Sequence, residues 1–336
     1  MKNDDEYQIV PPFAQDSGKK HIEISLGMAC NNNCLFCLNI GPRKFVPFEQ
    51  IVKEAGECAA AGYNSIGLIG GDPTIYPNIQ KLGRELSETG YKHIHAISNG
   101  RRFGEMEFLD SMIEAGFNRF SVSIHSHLPE VEDRLTQRPG GHEQKIQGLR
   151  NLVRRFSEGA FRDRIAINIV MNKLNIDNID ATIRFFSEIG VTDMRLLIIR
   201  PEGYALENFD LLVPRLAAIR DRLPAVIRVA HTRKLKVMMD PPPFCLFYDI
   251  PGFSRLLARD YIDQVISDAH KQQRETFSWN EYRLRTKLKK PECETCCFNR
   301  KCEGVWAGYA NVFGFDEFLP VSRETLSVIS GPDCAG

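Results

Sequence analysis

Cysteine is the residue type that most sets this sequence apart. Ten occur in 336 residues, and seven fall in two clusters: Cys30, Cys34 and Cys37, then Cys293, Cys296, Cys297 and Cys302. Cys58, Cys245 and Cys334 stand alone. Clustered thiols that are not tied up in a disulfide framework read first as metal ligands or redox groups. Three thiolates spaced Cys-x3-Cys-x2-Cys can converge on one soft metal centre. A structural zinc closes its shell with a fourth Cys or His close by, yet the next cysteine is Cys58 and the next histidine His93. On a cubane iron–sulfur cluster, three ligands leave one iron open for chemistry, whereas four saturate it. Cys58, among alanines in a helical pattern, reads as a small buried hydrophobe.

Composition narrows the field. Lys+Arg and Asp+Glu are 43 each, so net charge is zero, without the basic excess of a general nucleic-acid binder. At 43% hydrophobic and 26% charged residues, a sizeable core can form and wholesale disorder is excluded. No apolar run reaches the roughly 20 residues that span a bilayer. The first twenty residues are acidic and polar, without the apolar stretch of a secretory signal. The expectation is a cytoplasmic protein.

The elements that must position these thiols follow from periodicity. Short β-rich runs occur at His21–Leu26, Ser65–Ile69, His93–Ile97, Arg119–Ile124, Ile165–Val170 and Met194–Ile199. Amphipathic stretches lie between them, at Phe48–Ala61, Ile79–Thr89, Phe108–Ala115, Gln144–Phe156 and Ile179–Ile189. Six successive βα units imply an α/β fold with a parallel sheet, because each crossover needs a helix. Periodicity alone does not separate an open doubly wound sheet from a barrel. Beyond Pro201 the rhythm breaks. Residues 204–224 read as one helix interrupted at Pro214, Val226–Met239 as a β-like run, and Pro241–Pro243 as an irregular connection. Residues 253–290 read as helical, with Arg283, Arg285, Lys287, Lys289 and Lys290 near the end. This gives an N-terminal extension over 1–20, a βα domain over 21–224 and a cysteine-rich C-terminal domain over 225–336.

With Phe36 as its aromatic, the Cys30–Cys37 motif resembles the signature of the radical S-adenosylmethionine (radical SAM) enzymes. The resemblance continues at one strand end after another: Gly70-Gly71-Asp72-Pro73-Thr74 is similar to the Gly-Gly-Glu-Pro motif, and Ser98-Asn99-Gly100 to Thr-Asn-Gly. Ser123 within Val122–Ser126, Asn168 and the backbone at Ile199 match further contact positions. The resemblance implies a partial (β/α)6 TIM-type barrel with a [4Fe–4S] cluster on Cys30, Cys34 and Cys37. The open iron would take the amine and carboxylate of S-adenosylmethionine, and Phe36, Gly70, Gly71, Asp72, Ser98, Asn99, Ser123, Asn168 and Ile199 would line that cofactor. Asp72 departs from the family's glutamate by one methylene, which shortens its reach. Ligand sites of parallel βα barrels lie at the carboxyl ends of strands, where all these motifs fall.

Cys293-x2-Cys296-x5-Cys302 resembles the C-terminal twitch and SPASM extensions that carry auxiliary iron–sulfur clusters. Too few cysteines remain for the full SPASM pattern, so one auxiliary [4Fe–4S] cluster is expected, on Cys293, Cys296, Cys302 and a fourth ligand, with Cys245 favoured and Cys297 the substitute. A structural zinc on the same thiolates is the competing reading. His125, Cys297 and Cys334 are the catalytic candidates. Arg200 and Glu202 read as a substrate grip or as a surface ion pair. The basic stretch reads as a solvated helix face or as a dock for an acidic flavodoxin or ferredoxin reductant. The resemblance implies hydrogen abstraction from a C–H bond, followed by oxidation, epimerisation or coupling. Peptide-modifying relatives carry an N-terminal recognition module, and only about twenty residues precede the first strand here. That favours a small polar metabolite (sugar, aminocyclitol or nucleoside) over a peptide. A non-catalytic iron–sulfur or zinc redox protein is the alternative of a different class.

Overall fold

The structure, a computed structural model, describes residues 20–156, 164–257, 264–268 and 275–325. Six parallel strands lead the chain: β1 (His21–Ser25), β2 (Ser65–Ile69), β3 (His93–Ser98), β4 (Arg119–Ser123), β5 (Ile165–Met171) and β6 (Asp193–Ile198). Helices α1 (Phe48–Ala60), α2 (Ile79–Glu88), α3 (Met106–Glu114), α4 (Pro129–Thr136), α5 (Gly141–Phe156) and α6 (Ile179–Ile189) connect them. Each strand hydrogen-bonds to the one before it in sequence. A doubly wound sheet reverses its strand order at a switch point; here the order runs on without reversal, as in a barrel wall. Alternate strand residues such as Ile22, Ile24, Ile66, Leu68, Ala96, Val122 and Ile167 are buried in the hydrophobic core. The opposite face of the strands carries polar residues, and the site uses them.

The C-terminal third departs from the periodicity reading. Helices α7 (Tyr204–Glu207) and α8 (Phe209–Leu212) end before Pro214, and α9 runs from Leu216 to Thr232. The expected strand from Val226 is therefore helix, and only β7 (Lys236–Met239) is extended. Leu216, Ile219, Leu223, Val226, Val229 and Ala230 are the buried residues of α9, and their three-to-four spacing outweighs the β-branched composition. The domain boundary placed after residue 224 falls inside this helix. β7 continues the sheet beside β6, and after α10 (Phe244–Phe247) β8 (Gln264–Asp268) pairs in parallel with β1 at the other edge. β9 (Glu275–Ser278) follows antiparallel to β8, so one nine-stranded sheet spans both proposed domains. Of the helix expected over 253–290, residues 258–263 and 269–274 lie outside the described residues; among those described, the α-helix is α11 (Trp279–Thr286), capped by the Ser278 side chain on the Glu281 N–H. The two-residue strands β10 (Lys287–Leu288) and β11 (Val305–Trp306) pair antiparallel and pinch off the second cysteine loop, ahead of α12 (Ala307–Phe313). No helix among the described residues is long and apolar enough to cross a membrane.

Candidate active site

The first cysteine loop lies on the carboxyl ends of β1 and β2, and two glycines let it come that close. A Cβ on Gly71 would stand 1.9 Å from the Ala29 carbonyl oxygen, and one on Gly70, at φ +123°, would stand 2.3 Å from that of Gly27. In their place run backbone bonds: Gly71 N–H donates to Gly27 at 2.7 Å and Asp72 N–H to Ala29 at 2.9 Å. The same strand end receives the Asn39 amide on the Gly70 carbonyl at 2.5 Å. These glycines therefore seat the cysteine loop itself, a nearer constraint than a ligand.

Asp72 is 3% exposed, and its carboxylate is occupied by the protein. It accepts from the Thr74 N–H at 2.9 Å, the Thr74 hydroxyl, the Ser98 hydroxyl at 3.0 Å and the Asn99 N–H at 2.7 Å. The Ser98 oxygen accepts in turn from Gly100 N–H. Asp72 thus ties the β2 end to the β3 end. Asn99 carries the tie onward: its amide donates to Asn31 at 2.6 Å and reaches the Cys30 sulfur at 3.9 Å. Arg101 donates to the Asn31 carbonyl at 2.7 Å and the Asn32 side chain at 3.1 Å, and Gln144 takes its Nε–H at 2.6 Å.

The far side of the loop rests on α4, whose Thr136 and Leu135 carbonyls accept from Asn33 and Leu35 N–H. Phe36 meets the His125 ring edge-on, centroids 4.8 Å apart. His125 is 2% exposed; its Nδ1 accepts the Val170 N–H at 3.1 Å, which leaves its proton on Nε2. Burial pushes this imidazole down to about 4, so it stays neutral near pH 7. Beneath lies an ion pair, Lys145–Glu132, at 2.6 Å with side chains 1% and 0% exposed. Ser123 closes β4, Asn168 lies in the middle of β5 directly opposite Ser123 in the ladder, and Ile199 follows the end of β6.

The three thiols act on one another. Burial pushes Cys34 up to about 12, with Cys37 and Cys30 adding to the rise. Burial likewise raises Cys30 and Cys37. Among the described residues, no three His, Cys, Asp or Glu side chains are set to hold one metal ion. Three partly buried thiols that act on one another carry the donor chemistry a cubane on three cysteines needs.

The second loop brings Cys293, Cys296 and Cys302 into one cavity with Cys245 of α10, walled by Phe298, Phe315 and Phe318. Burial first, then Cys302, Cys296 and Cys293, push the Cys245 thiol up to about 12. Cys297 is not among the residues of that wall; its N–H donates to the Val321 carbonyl, and the Cys296 thiol acts on it. Cys334 lies outside the described residues.

Several sequence readings change in place. The basic stretch is not one solvated helix face: Arg283 and Lys287 are buried and pair with Glu303 at 2.8 and 2.6 Å. Arg200 lies among Trp279, Tyr282 and Trp306, its Cζ 4.8, 5.5 and 5.2 Å from their centroids, with Glu202 at 3.4 Å. It is no plain surface ion pair. The sequence reading missed Arg101, Glu132 and Lys145, which look like ordinary charged residues of amphipathic segments. The asparagine-rich loop was the available signal that donors would be needed there. It also missed the polar face of the strands, where His95 Nε2 meets Ser121 Oγ at 2.9 Å and His21 Nδ1 meets Ser65 Oγ at 2.8 Å. Burial lowers His95, and Arg195, His21 and Arg119 lower it further.

A parallel barrel wall whose strand ends gather three thiols, a glycine turn and buried polar clamps defines an iron–sulfur protein of the βα type. Residues 24–186 match the Radical SAM superfamily model, which identifies that segment as a radical SAM domain. Proteins of this superfamily hold a [4Fe–4S] cluster and S-adenosylmethionine. The chain is 26% identical over 192 residues to the probable GTP 3′,8-cyclase of Sulfurisphaera tokodaii, covering 56% of this chain and 59% of that protein. It is 29% identical over 181 residues to the GTP 3′,8-cyclase of Aquifex aeolicus, covering 52% and 54%. The matches thus span less than two thirds of the length of these curated relatives. Among solved structures, Streptococcus suis SuiB bound to S-adenosylmethionine superposes with a TM-score of 0.60 at 15% identity, covering 90% of this chain and 76% of SuiB. Native anSMEcpe with bound AdoMet gives 0.61 at 12% identity, covering 89% and 93%.

Proposed function

We propose that the protein is a radical SAM enzyme acting on a small polar metabolite that bears an anionic group. Cys30, Cys34 and Cys37 would hold the catalytic cluster, with Gly70–Asp72, Ser98–Asn99, Ser123, Asn168 and Ile199 around the bound S-adenosylmethionine. When bound, that pair supplies an electron to the sulfonium and yields a hydrogen-abstracting 5′-deoxyadenosyl group. The chain's own residues do the rest. Asp72 and Asn99 hold the loop rigid, Phe36 and neutral His125 cover one side of the thiols, and the buried strand ends limit water. Cys245, Cys293, Cys296 and Cys302 would hold an auxiliary cluster, which accepts an electron or anchors substrate; its apolar wall lowers the local dielectric around it. A flavodoxin or ferredoxin would be the reductant.

The observation that supports the substrate class is the group of basic side chains around His95, on which Arg195, His21 and Arg119 act. The buried Arg195 Nε has no hydrogen-bond partner among the described residues, a donor that an anionic substrate group would satisfy. Relatives named for GTP as substrate agree with this reading. A peptide is the second reading, favoured by the shared fold with SuiB, solved also with its precursor peptide SuiA. The test is anaerobic turnover with dithionite, S-adenosylmethionine and deuterated substrates from both classes. Deuterium in 5′-deoxyadenosine from nucleotides or sugar phosphates supports the first reading; deuterium only from peptides overturns it.

A further inference from the structure

Arg200 follows the carboxyl end of β6, the end at which ligand sites of parallel barrels lie. Its loop touches both cysteine regions. Tyr204 N–H donates to the Cys37 carbonyl at 3.0 Å, and a Cβ on Gly203, at φ +57°, would stand 2.7 Å from that same oxygen. The loop is thus fitted against the first cysteine motif. Against Arg200 itself stand Trp279 and Tyr282 of α11 and Trp306 of β11, the strand that closes the second cysteine loop.

Three rings hold the Arg200 charge, yet none of them supplies an acceptor atom. Cation–π attraction fixes a guanidinium without satisfying its five N–H donors. The carboxylate partner of Arg200 is Glu202, 3.4 Å from Nη2, longer than the roughly 2.7–2.9 Å of a charge-assisted bond. Glu202 is held in turn by the Tyr282 hydroxyl at 2.9 Å. Glu303 is engaged by Arg283 and Lys287. Burial raises the Asp240 carboxyl above its ordinary value, against the pull of Lys287, Arg283 and Arg200, so it competes less for the guanidinium. The buried Arg200 Nε has no hydrogen-bond partner among the described residues. An arginine with donors to spare, in a side chain 16% exposed, matches the fork geometry of a phosphate or carboxylate.

We propose that Arg200 forms a further anion-binding subsite, between the two cysteine loops and walled by Trp279 and Trp306, that grips a phosphate or carboxylate group of the substrate. The subsite rests on the proposal of an anionic substrate and is independent of Arg195. A merely structural Arg200 would brace α11 and β11 against the β6 loop and would not respond to added anions.

Trp279 and Trp306 are the two tryptophans of the chain, so intrinsic emission reports on this subsite. The full-length reconstituted protein is titrated with inorganic triphosphate and, separately, with citrate, with sodium chloride at matched ionic strength as the blank. A saturable emission change is expected with at least one of the two anions, and the tighter of them names the group as phosphate or carboxylate. Arg200→Gln should weaken that binding about tenfold or more. Arg200→Lys, which keeps the charge and loses the fork, should weaken it less. No saturable change with either anion, an equal response to chloride, or unaltered affinity in Arg200→Gln overturns the proposal. Should Arg200→Gln lose its fold by circular dichroism, Glu202→Gln decides instead. Freeing the guanidinium from its carboxylate should tighten anion binding about threefold, and unchanged or weaker binding overturns the subsite. The titration involves no turnover, so the two proposals fail separately. Deuterium transfer only from peptides overturns the substrate class, whereas a silent titration overturns the role of Arg200.

Discussion

The two cysteine loops offer nearly the same ligand chemistry in opposite surroundings. The first is held by polar bonds from several strand ends, through Asp72, Asn99 and Arg101. The second is pinched off by the β10–β11 hairpin and walled by Phe298, Phe315, Phe318 and Val305, with few polar contacts beyond the Val321 N–H on Cys296 and the Gly304 N–H on Cys302. Polar clamps fix direction and leave donors aimed at whatever the thiols carry, which suits a centre that must bind and orient a ligand. An apolar wall excludes water and ligand alike, which suits a centre that stores or passes an electron. Environment, more than the cysteines, divides the roles.

The sharpest break of that division is a pair of substitutions. Cys34→Ala should lower reconstituted iron from about eight to about four per chain and abolish 5′-deoxyadenosine formation. Cys302→Ala should lose the same amount of iron yet spare uncoupled cleavage of S-adenosylmethionine, while product formation fails. Iron analysis and nucleoside assay side by side decide it; equal loss of 5′-deoxyadenosine in both variants would erase the distinction. About four iron and one zinc in the wild type would make the second site structural.

Gly71→Ala tests whether the seat of the first loop is as tight as the contact with Ala29 implies. A Cβ 1.9 Å from a backbone oxygen cannot be absorbed by a side chain, so a loss of about 3 kcal/mol or more is expected. Denaturation of the apoprotein should show it, together with impaired iron uptake confined to the first site.

His125 gives a pH signature for the same region. Its folded value of about 4 lies below the unfolded one near 6.5. Stability from the neutral ring is therefore present above about pH 6.5 and lost as pH falls toward about 4. Roughly 2 kcal/mol should vanish between pH 7 and 4.5. His125→Asn should flatten that slope in thermal melts of the apoprotein; an unaltered slope would assign it to other buried histidines such as His95 and His142.

The smallest effect is expected at Cys297. Outside the wall of the second cavity, Cys297→Ala should keep full iron and cost less than about 1 kcal/mol. Full iron with lost product would instead make Cys297 a hydrogen donor and the reaction an epimerisation.

By itself the sequence determined the first six strands nearly to the residue, because period-two and period-3.6 patterns report local burial directly. It also determined the first cysteine motif and the strand-end motifs, since spacing within a short loop is local information. The β-branched residues of α9 and the mixed polarity of 253–290 misled; β8 gains its pairing from β1, more than two hundred residues away in the chain, and β9 pairs in turn with β8. Only the tertiary structure decided that the sheet follows barrel order, which depends on which strands meet. It alone brought Cys245 to Cys293, Cys296 and Cys302. It showed Asp72 clamping the ends of β2 and β3 together, and it buried Lys145 and Glu132 against each other behind the end of β4. A charged side chain in an amphipathic helix looks solvated in sequence; burial and partnership are properties of the packed neighbours, which no local pattern encodes.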